Sequence, residues 1–324
     1  MFSQNYSKSN RNKNILQNFF FLILTKITNM APKYINIALI ASFLGLWINS
    51  IFTNEFEILV GFILILSFGI LHGANDLLLI KHINSKKKLL SFYRLLCYYF
   101  MVVLIGALLF YLLPWLALLL FIIVSAYHFG EQHWEQLKTT KPRWIVSLFQ
   151  FNYGIFILLL LFNFHDEEVK KVVFQITTLS FAGFNILFAL ICFGISLPLL
   201  GGYFYIHHDE FKNQVIINVF YLLVFTIIFK TTTLIWGFAI YFVFWHSIPS
   251  ILEQLKFLYG SSNFANFKSY FRSAFVYWIA SLVGIATLYL VFKDKEIFNA
   301  LFFSFLAAIT FPHALVIFKM FNKK

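Results

Sequence analysis

The feature that most constrains this chain is a succession of apolar runs about twenty residues long, separated by short polar gaps. A helix rising about 1.5 Å per residue needs about twenty such residues to cross a hydrocarbon core roughly 30 Å thick. Runs of that kind fall near residues 35–53, 57–76, 92–113, 115–135, 144–163, 184–206, 214–230, 233–253, 274–292 and 298–318. The stretch 172–183 is apolar too, and reads as a surface helix or an extension of the run after it. None shows the alternation of a barrel strand, and lipid leaves exposed backbone groups unsatisfied, so the spans are expected to be helices. The expectation is an all-α, polytopic transmembrane helix bundle of about 8–10 spans, eight if two adjacent weak segments pair off as interfacial or re-entrant pieces. No internal repeat suggests inverted transporter halves.

Composition bears on the charges. Only 12% of the 324 residues are charged and 60% are apolar, far from the roughly 25% and 45–50% of soluble domains. The net charge of +12 would suggest nucleic acid in a soluble protein. Here the Lys and Arg residues sit in the gaps, where they orient the chain and meet anionic lipid, so membrane lipid is the expected partner and nucleic acid is not. With the tail bearing Lys8, Arg11 and Lys13 inside, the inner gaps collect Lys33, Lys81, Lys86, Lys87, Lys88, Lys138, Lys141, Arg143, Lys212, Lys256, Lys268, Arg272, Lys319, Lys323 and Lys324. The outer gaps hold Glu55, Glu57, Asp166, Glu167 and Glu168 with fewer lysines, so both termini are expected to be cytoplasmic. The first apolar run, Ile15 to Leu24, is short and lacks a small-residue cleavage site, which argues against a cleavable signal. Cys97 and Cys192 lie within apolar runs and read as buried reduced thiols.

Ionisable side chains inside a span are costly and mark function. His82, His165, His207 and His208 fall in charged gaps. His72, His128, His246 and His313 lie 14, 13, 12 and 15 residues past Ile58, Trp115, Leu234 and Phe298, the outer ends of their helices. That is roughly 18 to 23 Å into the core. All four reach one level on helices running in the same direction, so packing can gather them around one point. Four imidazoles suit iron, copper or zinc; singly, each also suits a hydrogen bond across a helix interface. His133, five residues past His128, faces elsewhere and is a weaker ligand candidate. Asp76, four residues after His72, and Glu131, three after His128, are placed to accept the far N–H of a bound imidazole; both also suit helix ends in the headgroup region. Gly73 and Gly130 allow close backbone approach, and Pro249 and Pro312 can bend helices beside His246 and His313.

HGANDLLL around His72, YHFGEQHW around His128, WHSIPS around His246 and FPHALV around His313 resemble, in order and spacing, the histidine motifs of the Brp/Blh family of membrane β-carotene 15,15'-dioxygenases. The resemblance runs from about residue 57 to the C-terminus. It implies Fe(2+) as cofactor, O2 as co-substrate, and cleavage of the central double bond of β-carotene or a related carotenoid to two retinal molecules. It implies His72, His128, His246 and His313 as metal ligands, with Asp76 and Glu131 behind them. Family members often carry a second histidine four residues after the third-motif one, where this chain has Ser250; the departure puts substrate or activity in question. On this reading residues 1–34 are a cytoplasmic tail with an interfacial segment and 35–324 a single transmembrane catalytic domain. The location is a cell membrane, crossed several times and bacterial inner in type, with a retinal-binding rhodopsin as a downstream recipient of product.

A carotenoid is dissolved in lipid and can enter such a bundle sideways. Phe68, Tyr127, Phe129, Phe244, Trp245 and Phe311, close to the histidines in sequence, are candidates to line its channel; ordinary packing is the other reading. Two alternatives stay open: another membrane non-haem iron oxygenase acting on lipids, although its clustered histidine boxes are missing, and a non-enzymatic metal or ion transporter.

Overall fold

The computed structural model describes residues 33–83, 92–180, 183–291 and 295–321. The tail and its interfacial segment lie outside these residues. All secondary structure among the described residues is helical. Helix α1 (Lys33–Ile51) leads into α2 (Asn54–Leu64), which continues through wider π turns at Ile65–Gly69. After a turn at 72–75 comes the short α3 (Asp76–Ile83), then α4 (Phe92–Leu112), α5 (Pro114–His133) and α6 (Arg143–Phe164). Helix α7 (Asp166–Thr177) is followed by α8 (Ile186–His207) and α9 (Asp209–Thr231). The chain then forms α10 (Leu234–Ile240), a π segment at Tyr241–Ser247 and α11 (Ile248–Tyr259), three parts of one continuous span. Helices α12 (Phe264–Val291) and α13 (Lys295–Phe321) close the chain.

Among the described residues eight helices are long and apolar enough to cross a membrane, and Ile35–Ile51 is a shorter apolar helix. This is a multi-pass helical bundle of the expected class. Of the two readings of the stretch near 172–183, the structure has the separate helix with an exposed face, and not an extension of α8; it begins earlier, at Asp166, and ends at Thr177. Its acidic first turn, Asp166, Glu167 and Glu168, sits where a helix N-terminus favours negative charge.

The spans differ in what surrounds them. In Leu234–Tyr259, 89% of the apolar window is buried within the protein, against 6% for Tyr93–Leu112 and 11% for both Ile186–His207 and Phe264–Val291. The α10–α11 span is therefore the central post, and α4, α8 and α12 turn most of their surface outward. Cys97 on α4 and Cys192 on α8 are free and exposed on that outer surface, not buried as expected, because neither helix has protein on more than a narrow face.

Two contacts bring the bundle close at its centre. A Cβ at Gly130 would stand 1.7 Å from the Gln150 carbonyl oxygen, and one at Gly154 would stand 1.8 Å from that of Ala126. Only glycine lets α5 and α6 approach this nearly. On the other side, Trp245 donates its indole N–H to Ser42 Oγ at 2.9 Å and Trp236 donates to the Gly45 carbonyl at 3.1 Å, tying α1 to the post.

Candidate functional site

Three helices and one turn deliver His72, His128, His246 and His313 to a single place. The ring centres of His72 and His313 are 4.5 Å apart, His128 and His246 4.8 Å, His72 and His246 5.2 Å, and His128 and His313 5.4 Å. All four are at least 95% buried, with exposures of 1 to 5%.

The local backbone explains how each ring is aimed. The π turns at Ile65–Gly69 end just before His72, and the helix then breaks: Gly73 N–H goes to the Ile70 carbonyl and Ala74 N–H to that of Leu71. The Gly69 carbonyl is thereby left without its helical donor, and His72 Nδ1 takes it. The second π segment, Tyr241–Ser247, carries His246 and runs into Pro249, which has no N–H to give. Gln132 grips this turn from α5: its Nε2 donates to the His246 carbonyl at 3.1 Å and its Oε1 meets His246 Nδ1. His313 Nδ1 donates to Asp76 Oδ1 at 2.8 Å, while Tyr99 donates its hydroxyl to Asp76 Oδ2 at 2.8 Å.

A buried polar network fixes the turn that follows His72. Gln254 Nε2 donates to the His72 carbonyl at 2.8 Å, Tyr270 donates to Gln254 Oε1 at 2.8 Å, and Asn75 donates to the Tyr270 carbonyl at 2.9 Å. Ser250 belongs to this network, with its Oγ held by Gln254 at 3.1 Å. Networks satisfied in this way hold a unique geometry.

Three imidazoles thus have Nδ1 engaged, the arrangement that turns Nε2 toward a ligand. Both nitrogens of His128 and the Nε2 of His313 have no hydrogen-bond partner. An unsatisfied buried polar atom costs about 1–3 kcal/mol, a cost that a bound ligand would offset. With metal–nitrogen bonds of about 2.1 Å, four imidazoles around one ion have neighbouring ring centres roughly 4.5 to 5.2 Å apart, for right-angled and tetrahedral placements. The observed spacings bracket that range. Among the described residues no group of three or more His, Cys, Asp or Glu side chains holds its donor atoms as a finished metal-binding set. What fits an ion is the ring spacing and the free nitrogens.

The supporting carboxylates are arranged differently from the sequence expectation. Asp76 serves His313 and not His72, because the turn at 72–75 ends the helix in which the two would share a face. Glu131 does not reach His128, and its Oε2 has no partner. His133 stands apart: its ring stacks at 6.1 Å on Tyr241 and packs at 5.3 Å against Tyr153 and 5.9 Å against Phe225.

Two cavities meet at the histidines. The first is lined by all four of them and by apolar side chains of α5, α6, α7, the central post and α13, and encloses about 990 Å³ free of atoms, its open mouth included. The second runs between the 69–77 turn, α4, α12 and α13. His72, Phe242, Leu306, Thr310 and His313 border both. Of the six aromatic residues expected along a channel, only Phe129 borders either one. Phe244 and Trp245 flank a separate, more polar cavity beside His133, and Phe68, Tyr127 and Phe311 border neither of the two at the histidines. The rest of the aromatic lining of the first cavity comes from Phe121 on α5, Phe162 on α6, Phe238 and Phe242 on the post and Phe303 on α13, residues four or more positions from any of the four histidines in the chain.

A family model described as beta-carotene 15,15'-dioxygenase matches residues 63–321, a range containing all four histidines, both cavities and the polar network. The chain belongs to this family. Comparison with curated proteins finds no match, and comparison with solved structures finds none. Gln132, Tyr99, Gln254 and Tyr270, absent from the sequence expectations, lie within the matched range and hold the histidines or the turn beside them.

Proposed function

We propose that this protein is an iron-dependent carotenoid dioxygenase of a cell membrane, with both termini cytoplasmic by the loop charges. It cleaves β-carotene at the 15,15' double bond. One C=C bond breaks, two C=O bonds form, and both atoms of O2 end in two retinal molecules. The observation that carries this reading is the meeting of four imidazoles at the end of a long apolar cavity, in a chain of this family.

His72, His128, His246 and His313 would hold the iron, which when bound supplies the redox chemistry that lets O2 react with a polyene. The rest falls to the protein. Gln132, Asp76 and the Gly69 carbonyl keep three imidazoles as Nδ1–H tautomers, which leaves Nε2 as the nitrogen available to the iron. Phe129 and Phe242 flank His246, with ring centres at 4.7 and 5.5 Å, and present flat apolar faces beside which a polyene can lie. The apolar walls exclude water and suit a polyene better than an ion path.

The reading is tested by expression in a bacterial host that accumulates β-carotene, with retinoids separated by chromatography. Loss of orange colour with appearance of retinal is expected. Persistent colour without retinal, despite membrane expression and supplied iron, would overturn the assignment.

A further inference from the structure

The first cavity has a definite depth. Its lining runs from Leu118 to His128 on α5 and from Phe303 to His313 on α13, ten residues in each case, or about 15 Å. Helix α7 stands on the side away from the histidines: it follows α6 past Phe164, and its Ile176 packs with Ala117 and Ala307, 11 and 6 residues before His128 and His313. Val169, Val172, Val173 and Ile176 line the cavity, and their i, i+3, i+4, i+7 spacing makes them one stripe of that helix. The opposite stripe is mostly charged, with one exposed ring, Phe174: Glu168 and Lys171 are exposed, the Glu167 side chain is 93% exposed, and Lys170 pairs with Asp166 at 2.7 Å. A helix with one stripe in the cavity and the other in water is fixed in place from both sides.

A C40 carotenoid is about as long as the hydrocarbon core is thick, roughly 30 Å, and half of it is about 15 Å. The geometry points to α7 as the stop that chooses the bond to be cut. One half of the polyene fills the first cavity down to the valine stripe, its midpoint then lies against the four imidazoles, and the other half passes into the second cavity between α4 and α12. Those two helices are among the least enclosed by protein, so the second cavity lies toward lipid and the first away from it. Symmetric cleavage is on this view a consequence of a length, not of any recognition of the central bond. The inference rests on the carotenoid reading above and adds to it a specificity-determining surface.

Two measurements on the full-length protein test it. The first is product analysis in the carotenoid-accumulating host. Val172→Trp shortens the cavity, so retinal should fall by about tenfold or more while a pair of aldehydes of unequal length appears. Val172→Ala and Ile176→Ala, which only remove atoms, should lengthen it and give retinal mixed with unequal products. Lys171→Ala, on the wet stripe, should give retinal alone. The second is β-carotene binding to purified metal-free protein, followed by quenching of tryptophan fluorescence, where Val172→Ala should bind and Val169→Phe should bind less. A wild type that forms retinal, with variants that yield retinal alone and bind unchanged, overturns the stop. A wild type that forms no retinal overturns the carotenoid reading, and the binding series then decides the stop by itself: weakened binding in Val169→Phe supports it and unchanged binding removes it.

Discussion

His128 and His133 sit five residues apart on the same helix and have opposite surroundings. His128 faces an apolar cavity with three other imidazoles within reach, and neither of its nitrogens has a partner. His133, turned about 140° round the helix, is held between Tyr241 and Tyr153, with the Tyr241 hydroxyl 3.5 Å from its Nε2. It borders a cavity that also receives Gln132, Glu135, Gln136, Gln214, Asn218 and Glu253. The difference teaches that residue type alone does not assign a role to a histidine in a membrane protein. What assigns it is whether the ring's nitrogens are used up by neighbours or left facing an apolar space.

The contrast can be broken by substitution. The largest effect is expected for His128→Ala: loss of a metal-holding group costs several kcal/mol, on the order of a thousandfold or more in retinal formation, and iron per protein should fall with it. Retained iron and turnover would place His128 with His133 among structural histidines. Asp76→Asn should lower iron affinity by about 10- to 100-fold, since it weakens what orients His313; Gln132→Leu should act on His246 in the same direction and to a similar extent. Elemental analysis of purified protein over a series of iron concentrations reads both. His133→Phe keeps the aromatic packing and removes a hydrogen-bonding ring, so it should cost about 1 kcal/mol of stability and leave iron content at the wild-type value. Iron lost in that variant would move His133 into the ligand set. The smallest effect is expected for Ser250→Ala, which removes a single hydrogen bond to Gln254 and should leave product and iron unchanged.

The histidines were legible because an imidazole within an apolar run is rare and its depth follows from counting residues. That count placed His72, His128, His246 and His313 on one level, and the structure brings their rings together. The groups that orient them were not legible. Gln132 and His246 are 114 residues apart in the chain, Gln254 and His72 182, and Asp76 and His313 237; single-helix periodicity says nothing about such pairs. Asp76 pairs with His313 and not His72 because the helix breaks within HGAND, where Gly73 and Asn75 are turn residues, of which Gly73 is read from the sequence only as room for close approach. The channel aromatics were sought beside the histidines along the chain, whereas those of the first cavity other than Phe129 stand four or more positions away. Helix α7 is half visible: the residues from 172 read as a surface helix or an extension of the next run, while DEEVKK reads as a charged gap and not as the first turns of that helix.

The two π segments, Ile65–Gly69 and Tyr241–Ser247, have a consequence for how this constellation is written in a gene. A π segment holds one residue more than an α turn needs, so deleting one residue ahead of the histidine, within Ile65–Gly69 for His72 or within Tyr241–Trp245 for His246, would restore a regular helix and swing that histidine by about 100°. Every ligand type would remain in the sequence and the cluster would still be lost. In these two spans the position of a histidine is stored as a number of residues, and single-codon insertions and deletions act on it as directly as replacement of the histidine itself.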